Sequence, residues 1–232
     1  MLKKIDFSVD KGEFIAIMGP SGSGKSTLLN IIAMLITPTN GKLYVNEQDT
    51  LSLKESERIY FRRQELGIVF QDNNLIDTLT VGQNILLPLT IERYKKKEMM
   101  DRLRTTADYL MIEKILEKRT HQISGGQAQL ACIARAIINN PTLLLADEPT
   151  GNLDSASVKK VMRLFSKIHD EKNMTTLIVT HDPYVASFAQ RVIFINDGQL
   201  YNELHTSGNQ RSFYERILDV ITFLGGGQNE LF

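Results

Sequence analysis

Three features of the sequence predict an α/β fold with a largely parallel sheet. Apolar runs with strand character recur along the chain, and helical patterns lie between most of them. The third feature is the run GPSGSGKS at Gly19–Ser26, which meets every constrained position of the phosphate-binding loop G-x-x-x-x-G-K-[ST] and sits at a strand-to-helix junction.

The first strand-like run is Ile5–Val9, and the second is Phe14–Met18, an unbroken apolar segment that reads as a buried strand. The phosphate loop follows, made of Gly19, Pro20, Ser21, Gly22, Ser23, Gly24, Lys25, Ser26 and the adjoining Thr27. Its glycines let the backbone wrap a phosphate, so that consecutive N–H groups and a helix N-terminus face the negative charge. Lys25 supplies a cation for β- and γ-phosphates, and Ser26 a hydroxyl for Mg²⁺. This loop predicts binding of a nucleoside triphosphate. Lys25–Leu35 continues as a helix, and Asn40-Gly41 reads as a tight turn.

Leu66–Phe70 is the next strand, and Gln71 at its end is placed to reach Mg²⁺ or water through its amide. From Thr80 to Gln122 there is no strand signal but dense charge and helical segments, Lys95–Met111 and Glu113–Lys118, which read as a helical insertion. Lys95-Lys96-Lys97 within it reads as a solvated helix face rather than a phosphate or lipid patch. Ser124-Gly125-Gly126-Gln127 opens the helix Gly125–Asn139, and its small residues at a helix N-terminus form a second anion site.

Leu143–Ala146 is a buried strand that delivers Asp147 at its C-terminal end, where open α/β sheets place ligands. Asp147 can bind Mg²⁺ there, directly or through water, and Glu148 can polarise an attacking water. Ser155–Asp170 is helical, and Thr176–Val179 is a strand followed by His181 just before the turn Asp182-Pro183. Asp197-Gly198 joins Val192–Ile195 to Gln199–Leu204 as a hairpin. Phe213, Ile217, Val220, Ile221 and Leu224 recur at helical spacing before Gly225-Gly226-Gly227, an apolar face expected to pack on its own domain.

With 27 basic and 27 acidic residues the formal net charge is zero, so no global field favours nucleic acid, and none is expected as a partner. The single cysteine, Cys132, excludes an internal disulfide and reads as a small core residue. No apolar stretch approaches the roughly 18 residues of a membrane span, and the N-terminus lacks the apolar region of a signal peptide. A cytoplasmic chain is expected, with another polypeptide supplying any membrane span. His121, His169 and His205 are expected at the surface.

The ordered set Gly19–Ser26, Gln71, Ser124–Gln127, Asp147-Glu148, Asn152-Leu153-Asp154 and His181 resembles the ATPase subunits of ABC transporters, from about Leu2 to Leu204. The resemblance implies a P-loop NTPase core over residues 1–79 and 123–204, a helical subdomain at 80–122, and a C-terminal helix and tail at 205–232. It also implies ATP hydrolysis with Mg²⁺ by a head-to-tail dimer of two copies. Each ATP then lies between the phosphate loop of one copy and Ser124–Gln127 of the other. In that arrangement Glu148 orients water, His181 contacts the γ-phosphate, and Asn152–Asp154 crosses the dimer interface. Gln71 links the site to an integral-membrane permease, which would hold the chain at the inner face of the membrane.

The flanks are more selective. Phe70–Thr80, Asn84–Leu89 and Asp147–Ser155 resemble the branch of lipoprotein-release, macrolide-export and Bce-type peptide-antibiotic systems. Thr180–Pro183, Arg191–Ile195, Asp197–Tyr201, Phe213-Tyr214 and Leu224–Gly226 are similar to the Bce-type members, which imply a role in resistance to cell-wall-targeting peptides and in their sensing. The alternatives are a lipoprotein-release, macrolide-export or cell-division complex, and a soluble ATPase of the same family.

The sequence departs from the family pattern twice. Relatives carry an antiparallel β edge whose first strand, with an adenine-stacking aromatic, precedes the segment matching Leu2–Val9. Its lack here predicts a ragged edge at Phe7–Val9 and ATP binding weaker by about 1–3 kcal/mol, on the scale of base stacking. Leu130 stands where relatives carry arginine, whose planar donors leucine lacks, and slower turnover is expected.

Overall fold

The computed structural model describes residues 2–226, with side chains to 224. Its elements in chain order begin with β1 (Phe14–Met18), α1 (Lys25–Ile32), β2 (Tyr44–Val45), β3 (Gln48–Asp49), α2 (Glu55–Glu65) and β4 (Leu66–Val69). Then come α3 (Val81–Ile91), α4 (Lys96–Leu110), α5 (Gly125–Ile137), β5 (Leu143–Asp147), α6 (Ser155–Lys172) and β6 (Thr175–Val179). The series ends with α7 (Pro183–Ala186), β7 (Arg191–Asn196), β8 (Gln199–His205) and α8 (Gln210–Gly226).

Six strands form one sheet in the order β4-β5-β6-β1-β7-β8. The first five run parallel, and β8 returns antiparallel to β7. β1 is buried at every position, so successive side chains feed opposite cores. Phe14, Ala16 and Met18 join the cluster beneath α3, α4, α5 and α6, whereas Ile15 and Ile17 join the one that includes Leu28 and Leu29 of α1. Because β1, β4, β5 and β6 are parallel, their C-terminal ends share one edge of the sheet, and the loops leaving that edge carry the candidate residues.

Ile5–Val9, expected as a strand, forms no regular element and pairs with no strand among the described residues. Its alternation survives, with Ile5, Phe7 and Val9 packed against the α1-side core, yet no strand among the described residues offers it a ladder. It is pinned instead by Lys3 N–H donating to the Gly198 carbonyl and by Arg191 Nη2 donating to Ser8. The helix expected over Lys25–Leu35 stops at Ile32, and Met34 turns the chain with φ +55°. Glu113–Lys118 holds only a short 3₁₀ turn, Glu113–Ile115. Asn40 lies in a bend with Thr39, and the turn of the small β2–β3 hairpin falls at Asn46-Glu47, whose φ values of +50° and +64° suit a type I′ turn. Asp197-Gly198 does join β7 and β8.

Residues 80–122 hold α3, α4 and two 3₁₀ turns. Leu130 is only 3% exposed and packs in the core, a place that leucine fills without the partners a guanidinium would need. His169, expected at the surface, is half-buried with its ring 5.7 Å from that of Phe14. Phe213, Ile217 and Val220 of α8 are buried in the main core, so that helix packs on its own chain. Gly227, part of the glycine run expected to end it, lies outside the described residues. Among the described residues no helix is long and apolar enough to cross a membrane.

Candidate functional site

The phosphate loop leaves β1 in a conformation that only glycine accepts at its first position. Gly19 has φ +152°, and a Cβ there would lie 2.0 Å from the Ile195 carbonyl oxygen. The loop ends at Gly24, the residue before α1, so the unpaired N–H groups of the first turn of α1 face the loop. Lys25 is buried at 9% exposure, and its ammonium donates to the carbonyls of Gly19 and Pro20, both at 2.9 Å. Burial lowers the Lys25 pKa, against the pull of Glu148 and Asp147, whose charges raise it.

Asp147 ends β5, in register with Val179 of β6. Ser26 Oγ donates to its Oδ1 at 3.2 Å, bringing together two of the three residues expected to hold Mg²⁺. Burial raises the Asp147 pKa, the Ser26 hydrogen bond opposes this, Glu148 adds to it, and Lys25 opposes it again. A carboxylate in this state favours a cation beside it. Among the described residues no group of three His, Cys, Asp or Glu side chains could hold a metal by itself. The hard oxygens of Ser26, Asp147 and the Gln71 amide are of the kind that suits Mg²⁺.

Glu148 follows in the left-handed region, with φ +43°. That conformation costs a non-glycine residue about 1–2 kcal/mol, and such strain concentrates at functional positions. The Glu148 N–H donates to the Val179 carbonyl, which ties the turn to β6. His181 leaves β6 beside it, and its Nδ1 lies 2.8 Å from Glu148 Oε1. The turn carrying His181 is fixed by Asp182, whose N–H donates to Thr180 Oγ1 and whose side chain caps α7 through Tyr184 N–H.

These residues enclose a cavity of about 320 Å³ lined by Ser21, Gly22, Gly24, Lys25, Ser26, Thr27, Gln71, Glu148 and His181. A cation (Lys25), a hydroxyl (Ser26) and a carboxylate (Glu148) share its wall, while Asp147 reaches it only through its bond to Ser26. Pro20, Gly19 and Ser23 build the loop without lining the cavity. Ser124, Gly125, Gly126 and Gln127 are also absent from its wall. They form the start of α5, closed by a capping box in which Gln127 N–H donates to Ser124 Oγ and Ser124 N–H donates to Gln127 Oε1. Within one copy, the second expected anion site therefore does not share the wall of the phosphate-loop cavity.

Sequence reasoning missed the residues that hold the loop after Gln71. Arg135 of α5 donates to the Asn74 carbonyl at 2.7 Å and the Asn73 carbonyl at 3.0 Å, and Cys132 Sγ donates to Asn73 at 2.9 Å. Fully buried Asn84 of α3 accepts from Ile76 N–H and donates to the Ile76 and Thr80 carbonyls. The available signal was a polar residue set against an apolar helix run, Asn84 before ILLPL and Arg135 within ACIARAII. Burial raises the Cys132 pKa to about 11, as befits a packed hydrogen-bond donor.

Comparison with known proteins agrees with this geometry. Residues 2–151 match the family model described as ABC transporter. The ABC transporter ATP-binding protein YxdL of Bacillus subtilis is 52% identical over 99% of this chain and 90% of its own length. The bacitracin export ATP-binding protein BceA of Halalkalibacterium halodurans is 44% identical over 99% of this chain and 91% of its own. Among solved structures, the ATP-binding cassette MJ0796 of Methanocaldococcus jannaschii, dimeric in a post-hydrolysis state with ADP and phosphate, superposes with a TM-score of 0.82. It is 41% identical over 90% of this chain and 91% of that one.

Proposed function

Since this chain belongs to the ABC transporter family and is an ATP-binding, ATP-hydrolysing subunit, we propose that it drives a membrane permease conferring resistance to bacitracin-like antimicrobial peptides and sensing them. The observation that carries the catalytic reading is the cavity where Lys25, Ser26, Gln71, Glu148 and His181 converge, with Asp147 bonded to Ser26. The peptide-resistance reading rests on the similarity to BceA over nearly the whole chain.

The proposed working form is a head-to-tail dimer held at the inner face of the membrane by the permease. MJ0796 is dimeric in its ADP- and phosphate-bound structure, and the separation of Ser124–Gln127 from the phosphate cavity within one copy suits such pairing. The phosphate loop and Lys25 bind the β- and γ-phosphates of ATP. Ser26, Asp147 and Gln71 would hold Mg²⁺, which when bound would supply positive charge beside those phosphates. Glu148 accepts a hydrogen bond from the attacking water, orienting its oxygen toward the γ-phosphorus as the bond to the β-phosphate oxygen breaks. ADP departs with the bonding electrons, and the proton of the water passes to the Glu148–His181 pair. The N–H groups at the start of α5 from the second copy meet the γ-phosphate as charge develops on it.

The test is to recover the tagged chain from native membranes in mild detergent and to measure bacitracin sensitivity after deletion of its gene. Co-recovery of a multi-span permease, with sensitivity restored by wild type but not by Glu148→Gln, is the expected result. A permease without any change in sensitivity would remove the peptide role and leave the transporter subunit. No co-recovered permease would sink the transport reading.

A further inference from the structure

A second, smaller cavity lies behind the catalytic carboxylate. It measures about 40 Å³, and its wall includes Gln71, Asn73, Gly125, Gln129, Glu148 and Asn152. Gln71 and Glu148 also line the phosphate cavity, so these two side chains form the partition between the two spaces. Gln129 is 3% exposed, and its Nε2 is buried without a hydrogen-bond partner among the described residues. An unmet amide donor is costly to bury, and native proteins seldom leave one so. The cavity exceeds the space of one water, and it offers the polar groups that an ordered water needs.

The neighbours of Gln129 show which way this face of α5 looks. Gln129, Cys132 and Arg135 recur every third residue along the helix, and the last two bond directly to the carbonyls of Asn73 and Asn74. Gln129 stands one turn nearer the Ser124–Gln127 end, where it shares the cavity wall with Gln71, Asn73 and Glu148. On Glu148, Oε1 is taken by His181 at 2.8 Å, which leaves Oε2 to accept from elsewhere.

We propose that Gln129 is a positioning residue that acts through ordered water in this cavity, its Nε2 donating to water that in turn donates to Glu148 and meets the Gln71 amide. The water ties the first turns of α5 to the carboxylate of the same copy. A shift of Ser124–Gln127 on meeting the other copy's nucleotide therefore reaches Glu148 without passing through the phosphate cavity. This rests on the role proposed above for Glu148, which Glu148→Gln tests independently.

The experiment uses the full chain with two substitutions, Gln129→Met, which keeps the volume without polar atoms, and Gln129→Glu, which keeps the shape without the donor. Both are expected to lower kcat about threefold to tenfold, the worth of one well-placed hydrogen bond. KM for ATP should stay within about twofold, because neither change touches the phosphate loop. Melting temperature should stay near wild type in the methionine variant, since the side-chain volume is kept. A crystal structure of the wild-type chain with a non-hydrolysable ATP analogue should show water within hydrogen-bonding reach of Gln129 Nε2. Wild-type kcat in either folded variant overturns the proposal, as does a dry cavity or one filled by a side chain of the second copy. Should Glu148→Gln hydrolyse ATP rapidly, the assignment of Glu148 fails instead, whatever the Gln129 variants do.

Discussion

His181 Nδ1 and Glu148 Oε1 stand 2.8 Å apart, at the ends of adjacent parallel strands, although 33 residues separate them in the chain. The imidazole is 72% exposed and the carboxylate 13%, so the histidine covers the acid from the solvent side. A carboxylate only accepts, and Nδ1 therefore carries the proton in this pair, leaving Nε2 on the far side of the ring. The contact fixes the rotamer of Glu148 at the wall of the phosphate cavity.

Replacing Glu148 by glutamine keeps the shape and the hydrogen-bonding reach but removes the base. Loss of a positioned general base costs about 10²–10⁴ in rate, so phosphate release should fall by at least the lower figure while ATP still binds. The ATP-bound dimer should accumulate, visible as a shift in size-exclusion elution on adding ATP. Rapid turnover by this variant would refute the role given to Glu148.

Asp147 lends itself to a test of pH dependence. Its folded pKa is raised by burial, so the folded state holds the proton more tightly than the unfolded state does. The stability this contributes is complete below the ordinary carboxylate value of 3.8 and is lost as pH rises through the raised value. At neutral pH the ligand-free fold therefore carries an unfavourable charge that a bound cation relieves. Asp147→Asn should melt higher than wild type without ligand at pH 7 and lose that advantage at acid pH. Its stabilisation by Mg²⁺ with ATP should shrink, against about 2.7 kcal/mol for a ligand at a hundred times its Kd. Equal melting curves for the two proteins across pH would remove the argument.

How far the sequence reveals this structure depends on whether a feature is local. β1 and the loop Gly19–Ser26 are contiguous, and an unbroken apolar run followed by fixed glycines carries both. α2 buries none of its residues, so it has no apolar stripe for periodicity to find. α3 is obscured by Pro88 inside a continuous apolar run, although its start is marked by the capping box of Thr80 and Gln83. At Ile5–Val9 the pattern reports which side chains turn inward and says nothing about whether a neighbouring strand exists. The approach of Cys132 and Arg135 to Asn73 and Asn74 spans about sixty residues, and only the packing of α5 beside β4 brings them together.

That packing depends on a second glycine. A Cβ on Gly67 of β4 would lie 2.5 Å from the Ala136 carbonyl oxygen and 2.9 Å from Pro141 Cγ. Backbone cannot yield as a flexible side chain does, so Gly67→Ala should cost about 1–3 kcal/mol by overpacking. For a chain of this size each kcal/mol lowers the melting temperature by about 2–4 °C. An unchanged melting curve would mean that β4 and α5 separate more readily than their spacing indicates.

Arg135 offers the sharpest test of how the loop after Gln71 is held. Its guanidinium meets two successive carbonyls at 2.7 and 3.0 Å, and no other residue type presents two donors in that fork. Arg135→Lys retains the charge but only one of these contacts at a time, and Arg135→Met retains neither. Hydrogen bonds from a charged donor are worth about 1.5–3 kcal/mol each, so the methionine variant should be clearly less stable and the lysine variant intermediate. Stability alone does not identify a positioning role. If the fork fixes Gln71 beside the phosphate cavity, both variants should need more Mg²⁺ for half-maximal hydrolysis while their affinity for ATP without metal stays near wild type. A uniform fall in activity that follows the melting temperature, with no change in Mg²⁺ requirement, would reduce Arg135 to a packing residue and leave the loop positioned by Asn84 and Cys132.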